Sequence, residues 1–185
     1  MQEVEDIDTL RFLASNELGG RYPHVVLIEG NDPRLIDLAV LSRLPLGAVI
    51  SWQHRVHPAA PDERVFSRDL LEVEVFDERR RRRLFTLFNN HLKSHFGDDQ
   101  PGGKEHNDAR RGRQAEIVAD IVAARTRPDS SYLICGDFND PPDAKALTPL
   151  TQSGLELVNA PANARETAAP PLQPGAQAPP SPAWT

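Results

Sequence analysis

The sequence predicts a mixed α/β (α+β) domain, and three features of the chain lead to that class. Apolar runs with the length of strands recur between residues 25 and 135, and residues 109–125 have the apolar spacing of an amphipathic helix. A third apolar run, at residues 133–135, is followed directly by Gly136, Asp137, Asn139 and Asp140. Functional side chains of α/β proteins collect where buried strands end, so this last segment is the predicted functional centre of the chain.

Each element is predicted from a local pattern. Residues 7–18 have leucines at helical spacing, with Asp6 or Asp8 as the N-cap and the pair Gly19 and Gly20 as the stop. Residues 96–107, rich in Gly and Asp, are predicted to form a loop. The other predicted elements are strands at residues 25–28, 38–41, 48–52, 70–76, 84–88 and 155–158, a strand beginning at Leu133, and a short helix at residues 144–151.

Alternation and helical spacing also predict which side chains face water. In strand 70–76, apolar residues alternate with Glu72 and Glu74, which predicts a solvated glutamate face. In helix 109–125, the charged residues predicted to point largely away from the core are Arg111, Glu116, Asp120 and Arg125. The histidines without metal-ligand spacing, predicted to lie at the surface, are His24, His54, His57, His95 and His106.

Composition excludes several classes of protein. A length of 185 residues with 39% hydrophobic content suits one domain with a core. No apolar run approaches the roughly 20 residues that span a bilayer, so we expect a soluble chain, cytoplasmic by default. The net charge of -6 argues against a general nucleic-acid coat, and the single cysteine, Cys135, excludes an internal disulfide. No obligate protein partner is evident.

Five consecutive arginines, at residues 79–83, occupy the tip of a predicted hairpin. Like charges in a turn repel one another, so a solvated turn is the favoured interpretation, and contact with a polyanion is the alternative.

Two polar clusters follow predicted strands. Asp137 and Asn139 are two residues apart, and on an extended backbone they would point to the same side and hold one water or phosphate oxygen. The alternative is an Asx-rich turn that only closes a core strand. The second cluster contains His91, which directly follows an apolar strand and is of a type that can transfer protons or neutralise phosphate near pH 7.

The order of five motifs resembles the endonuclease/exonuclease/phosphatase superfamily, the pancreatic-deoxyribonuclease-like fold. The motifs are Gln2-Glu3, the loop at residues 30–34 with Ser42-Arg43, Ser67-Arg68-Asp69, Asn90-His91-Leu92, and Gly136-Asp137-Phe138-Asn139. The resemblance runs from Met1 to about Val158. It implies a four-layered sandwich in which two β-sheets pack face to face between helices, with the active site where the strand ends converge.

The resemblance also implies roles for individual residues in hydrolysis of a phosphodiester or phosphomonoester, nucleic acid included. Glu3 matches the family's metal-binding glutamate, with Mg²⁺ or Mn²⁺ as the cofactor. His91 matches the catalytic histidine, Asp137 the aspartate that aligns or activates water, and Asn139 the asparagine that steadies the phosphate. The residues predicted to contact substrate phosphate are Arg68, Asn31 and Arg34.

The two ends depart from the family pattern. Relatives begin with a strand that carries an asparagine near the metal and finish with a Ser-Asp-His segment, and neither motif occurs here. We therefore expect a fragment truncated at both ends: an incomplete domain at residues 1–159, then a Pro/Ala-rich loop or disordered tail at residues 160–185. Such a chain is expected to be a poor catalyst by itself.

Three functions stay open at this point. The favoured one is metal-dependent, nuclease-like hydrolysis of a phosphodiester. The second keeps that chemistry but acts on a phospholipid, an inositol phosphate or another small phosphorylated molecule. The third is a non-catalytic fragment that binds without turnover.

Overall fold

The computed structural model describes residues 1–154. Its strands are β1 (His24–Ile28), β2 (Leu38–Ser42), β3 (Leu46–Ser51), β4 (Val56–His57), β5 (Ala60–Arg64), β6 (Leu70–Phe76), β7 (Arg83–His91) and β8 (Tyr132–Asp137). Its helices are α1 (Ile7–Phe12), continued by a π-helical segment at Leu13–Glu17, then α2 (Gly103–Arg125), a 3₁₀ turn at Lys145–Leu147, and α3 (Thr148–Gln152). The predicted strand at residues 155–158 and the Pro/Ala-rich segment at residues 160–185 lie outside the described residues.

Four strands form the central sheet, in the order β3-β6-β7-β8. β3 and β7 pair antiparallel with β6, whereas β8 runs parallel to β7. A parallel neighbour needs a crossover connection, and α2 provides it. β1 and β2 form a separate antiparallel pair, and β4 and β5 form a small hairpin that the sequence did not predict.

The elements stack in four layers, as the resemblance implied. Leu71 and Val73 of β6 share an apolar cluster with Leu38 of β2, so the β1-β2 pair covers one face of the central sheet. On the opposite face, Phe88 of β7 packs in a cluster with Val118 of α2. α1 lies outside the β1-β2 pair, against a third apolar cluster. No helix within residues 1–154 has the length and apolar character needed to cross a bilayer.

The prediction of a solvated glutamate face on β6 is wrong for Glu72. Because α2 covers that face of the sheet, the Glu72 side chain is buried. Its carboxylate accepts hydrogen bonds from Arg125 at 2.8 and 3.0 Å and from Trp52 Nε1 at 3.0 Å. Glu74 is partly buried, with 23% of its side chain exposed, and pairs with Arg83 at 2.7 Å.

Several predicted positions around α2 also need correction. The helix begins at Gly103, inside the segment predicted to be a loop. Arg111, predicted to face away from the core, is fully buried. His57, predicted to lie at the surface, is buried beside α2 with its Nε2 3.0 Å from Glu116 Oε2. Both groups have charged partners in the fold, which explains how the interior tolerates them.

Candidate active site

Two neighbouring strands place the central pair of the site. β7 continues to His91, beyond its predicted end at residue 88, and His91 is the pairing partner of Asp137 in the parallel ladder with β8. The ladder closes with Leu92 N–H donating to the Asp137 carbonyl at 2.9 Å. Gly136 has a φ of 142°, and a Cβ there would overlap the carbonyl oxygen of Asn90. Only glycine therefore lets the two strands approach closely enough to set this register.

His91 is buried and lies near two carboxylates. Its Nε2 atom is 3.9 Å from Asp137 Oδ2 and 4.0 Å from Glu3 Oε1, so both acids approach the same nitrogen. Burial lowers the pKa of His91, the Arg68 guanidinium lowers it further, and the carboxylates of Asp137 and Glu3 oppose this. His91 Nδ1 is buried without a hydrogen-bond partner in the described residues. Burial therefore favours the neutral imidazole, and Nε2 is the ring atom that faces the two acids.

Asn139 adopts a left-handed backbone conformation, with φ of 52°. Its N–H donates to Asp137 Oδ1 at 2.8 Å, which is an Asx turn, and its Nδ2 donates to the Leu92 carbonyl at 3.1 Å. The expectation of an extended backbone with both side chains on one side is therefore wrong. The turn instead joins the end of β8 to the end of β7 and fixes the Asp137 carboxylate.

Arg68 lies beneath the site rather than at its surface, with its side chain 2% exposed. Nη1 donates to the Leu92 carbonyl at 3.4 Å, and Nε is 3.3 Å from Asp32 Oδ2. That second contact is an ion pair without hydrogen-bond geometry, so Nε has no hydrogen-bond partner within the described part of the chain. Burial is the main cause that lowers the pKa of Arg68. Asp32, which the sequence reasoning did not single out, is the counter-charge of this arginine.

The two other residues predicted to contact phosphate differ in how many hydrogen-bond donors they have available. Arg34 is 55% exposed and forms a two-pronged contact with Asp32, at 3.0 and 2.9 Å. Asn31 uses both amide hydrogens on backbone carbonyls, those of Gln53 at 2.8 Å and Phe66 at 3.0 Å. Its Nδ2 would have to break one of these bonds to donate to a phosphate, whereas Arg34 has hydrogen atoms to spare.

A buried charge network supports the loops behind the site. Arg111 Nε donates to Asp140 Oδ2 at 2.7 Å, and its Nη1 donates to the Lys93 carbonyl at 3.0 Å. Asp140 also lies 3.2 Å from His95 Nε2. The helix α2 therefore holds the residues that follow both His91 and Asn139. The sequence signal for this role was weak, because a single arginine on a helix usually faces solvent.

The donor groups fit a hard divalent cation held through few protein atoms. Within residues 1–154, no three His, Cys, Asp or Glu side chains come together to form a complete ion cage. Mg²⁺ commonly keeps several waters and binds through one or two carboxylates and substrate phosphates. Glu3 suits that mode because its side chain is 63% exposed next to His91. Water and substrate oxygens would complete the shell of an ion bound there.

A comparison with protein families identifies the chain. The profile of the Endonuclease/Exonuclease/phosphatase family matches residues 1–185, and the chain belongs to this family. No curated protein sequence matches it.

Solved structures share the fold at low sequence identity. Sphingomyelinase C from Streptomyces griseocarneus superposes with a TM-score of 0.56 and 15% identity, over 83% of this chain and 55% of that one. SmcL gives 0.55 and 19%, over 78% and 51%. A beta-toxin mutant from Staphylococcus aureus with bound magnesium ions gives 0.53 and 17%, over 79% and 52%. The chain spans about half the length of these proteins, and the likeness establishes the deoxyribonuclease-I-like sandwich.

Proposed function

We propose that the chain is a divalent-metal-dependent phosphoesterase that hydrolyses a phosphodiester. The observation that carries this proposal is the convergence of two carboxylates, Glu3 and Asp137, on the single Nε2 atom of the buried His91. Phosphoester hydrolysis needs an acid that can hold a cation, an acid that can align water and an imidazole that can move a proton. Membership of the family supports the same chemistry.

The exposure of each side chain indicates its role in hydrolysis. The Asp137 carboxylate is 53% exposed and is oriented by the Asn139 N–H, so it can align a water for attack on phosphorus. His91, held neutral by burial, gains a proton more readily once the negative charge of a phosphate approaches, and can then donate from Nε2 to a phosphate or leaving oxygen. A divalent ion at Glu3 would supply polarisation of the phosphoryl oxygen and offset its developing charge.

Two further groups support the phosphate. Asn139 Nδ2 uses one hydrogen on the Leu92 carbonyl and keeps the other for a phosphate oxygen. The Arg68 guanidinium is a fixed positive charge under the site, and burial strengthens its field because little water screens it. Asp32 partly neutralises this field, which keeps a buried cation tolerable in the absence of substrate.

A second candidate substrate class is a phospholipid or another small phosphorylated molecule. Sphingomyelinase C and SmcL share the sandwich, and this likeness favours the class without choosing a headgroup. The two candidates differ in the substrate that the site accepts, and a panel of substrates separates them: a single-stranded oligodeoxynucleotide, p-nitrophenyl phosphorylcholine and bis(p-nitrophenyl) phosphate.

The central test is Mg²⁺-dependent hydrolysis of bis(p-nitrophenyl) phosphate by the protein and by Asp137→Asn. The amide keeps the oxygen that accepts from the Asn139 N–H but loses the negative charge that aligns water. We expect kcat/KM to fall by on the order of 100-fold. The matched control is Asp129→Asn, an exposed acid just before β8, at the strand end far from the site. Equal activity of the protein and Asp137→Asn, or turnover unaffected by metal chelation, would refute the proposal.

A further inference from the structure

An open cleft of about 480 Å³ adjoins the candidate active site. Asn31 and Ser67 line one part of it, and each directly precedes a residue of the buried Asp32–Arg68 pair in the chain. Arg64 of β5 and Arg110 of α2 line the other part. A ligand in the cleft would therefore lie beside a phosphate bound above Arg68.

The cleft carries an excess of positive charge. Arg64 and Arg110 form no ion pair with a carboxylate in residues 1–154. The one acid of the lining, Glu63, lies 3.9 Å from Arg113 and is balanced by it. The two arginines are thus available for an anion, whereas most other arginines near the site already have carboxylate partners.

Both guanidinium groups are held in place by the protein. Arg64 donates from Nη1 to Asn31 Oδ1, and Asn31 is itself fixed by two backbone carbonyls. Arg110 Nη2 is 3.4 Å from the Arg64 carbonyl, while its Nε is buried without a hydrogen-bond partner in the described residues. A buried donor without an acceptor is unfavourable, and an anion that reached it would relieve that cost.

The surrounding cations raise the local potential. Burial is the main cause that lowers the pKa of Lys93, and the charges of Arg68 and Arg110 add to it. Arg110 also contributes to the lowered pKa of Arg68, after burial and Arg34. These shifts mean that the positive groups of the cleft and of the site repel one another electrostatically. An anion between them would therefore be attracted by both.

We propose that this cleft binds a second phosphate group of the substrate, adjacent to the phosphate that is hydrolysed. The inference rests on the proposed function and extends it from a single phosphoester to a substrate with at least two phosphates. The geometry suits a phosphate because paired, oriented guanidinium groups make charge-assisted contacts with its oxygens. The second phosphate is either the next phosphodiester of an oligonucleotide or a phosphomonoester on a small polyphosphorylated molecule.

The binding test uses 5′-fluorescein hexathymidylate in EDTA, so that no turnover interferes, with affinity measured by fluorescence anisotropy. The double variant Arg64→Gln/Arg110→Gln is compared with Arg81→Gln/Arg82→Gln, which removes the same charge at the tip of the β6–β7 hairpin, at the opposite end of the sheet from His91. We expect at least a tenfold loss of affinity for the first variant and less than a twofold loss for the second. Equal losses, or none for the first, would overturn the proposal.

Two additions make the result specific. Thermal unfolding of each variant shows whether a loss of affinity is a loss of folding. The variant Arg64→Lys/Arg110→Lys tests whether charge is recognised, in which case the lysines should restore more than half of the lost binding energy. Competition by a thymidine dinucleotide with two phosphates and by an inositol bisphosphate tells the two sources of the second phosphate apart, and competition by neither would overturn the proposal. Hydrolysis of bis(p-nitrophenyl) phosphate, which has one phosphate, is followed in parallel. Its absence would refute the proposed activity while the anisotropy still decides the cleft.

Discussion

Asp69 should make the stability of the protein fall as the pH rises through the neutral range. Its carboxyl is 1% exposed, Oδ1 accepts from the Trp52 N–H at 2.8 Å, and Oδ2 has no partner in the part of the chain that the structure describes. Burial raises the pKa of Asp69 from 3.8 to about 7, against the hydrogen bonds from Ser51 and the backbone. The folded chain therefore holds a proton that the unfolded chain has already released between these two values.

The sign follows from proton linkage. Where the folded state binds more protons, the free energy of unfolding decreases with increasing pH, so the contribution of Asp69 is fully present below about pH 4 and is gone above about pH 7. At 1.36 kcal/mol per unit, the whole effect is about 4 kcal/mol, of which about 3 kcal/mol falls between pH 5 and pH 8. That is a large share of the 5–15 kcal/mol by which a typical domain is stable.

The assay is urea unfolding of the protein and of Asp69→Asn at pH 5 and pH 8. The amide keeps the acceptor for the Trp52 N–H, but it does not titrate. Between the two pH values, the difference in free energy of unfolding should move by about 3 kcal/mol in favour of the variant. Asp62→Asn, at an exposed position on β5, is the control. Parallel pH dependences of the protein and Asp69→Asn would refute the reasoning.

Two further predictions concern the site. Glu3→Gln should raise the Mg²⁺ concentration for half-maximal hydrolysis by on the order of tenfold, because it removes one charge from the ion's shell, while the exposed Glu5→Gln should not; an unchanged Mg²⁺ titration would contradict the assignment. Gly136→Ala should cost about 3 kcal/mol or more in urea unfolding, because the new Cβ meets the Asn90 carbonyl. Gly20→Ala also introduces a side chain at a positive φ, here 67°, but in open space, and should cost about 1–2 kcal/mol; equal losses would exclude the clash as the cause.

Patterns of local sequence predicted the central strands well. β6 has the bounds that the sequence predicted, since its alternating residues are typical of a strand. The end of β7 was predicted three residues too early, because Asn89, Asn90 and His91 look like the start of a polar loop. In the fold the side chains of Asn89 and Asn90 find distant partners, as when Asn90 donates to the Cys135 carbonyl at 2.9 Å. A polar run continues a strand when the neighbouring strand satisfies it, and this information lies outside the local pattern.

In the candidate site, too, local motifs predicted some residues, whereas contacts between distant parts of the chain could not be predicted. Motif order singled out Glu3, His91 and Asp137 before any geometry was available, and the fold brings these three side chains together. The burial of Arg68 could not be read from its neighbours in the chain, because it depends on Asp32, which comes from a different loop. Charged residues are ordinarily assigned to the surface, and only the folded chain reveals which of them have buried partners.

The parallel pairing of β7 and β8 indicates which parts of the chain can vary among homologues and which cannot. His91 and Asp137 are fixed by adjacent strands, while the connection between them leaves and returns through the turns on either side of α2. Residues inserted in the turn between β7 and α2 would leave the distance between imidazole and carboxylate unchanged and alter the surface beside the site, whereas residues inserted between α2 and β8 would lie at the strand end far from it. A single deletion within either strand would instead rotate one of the two side chains to the other face of the sheet. We therefore expect homologous chains to vary in the length of the crossover and to keep the strand register, so that selectivity can change without loss of the reacting pair.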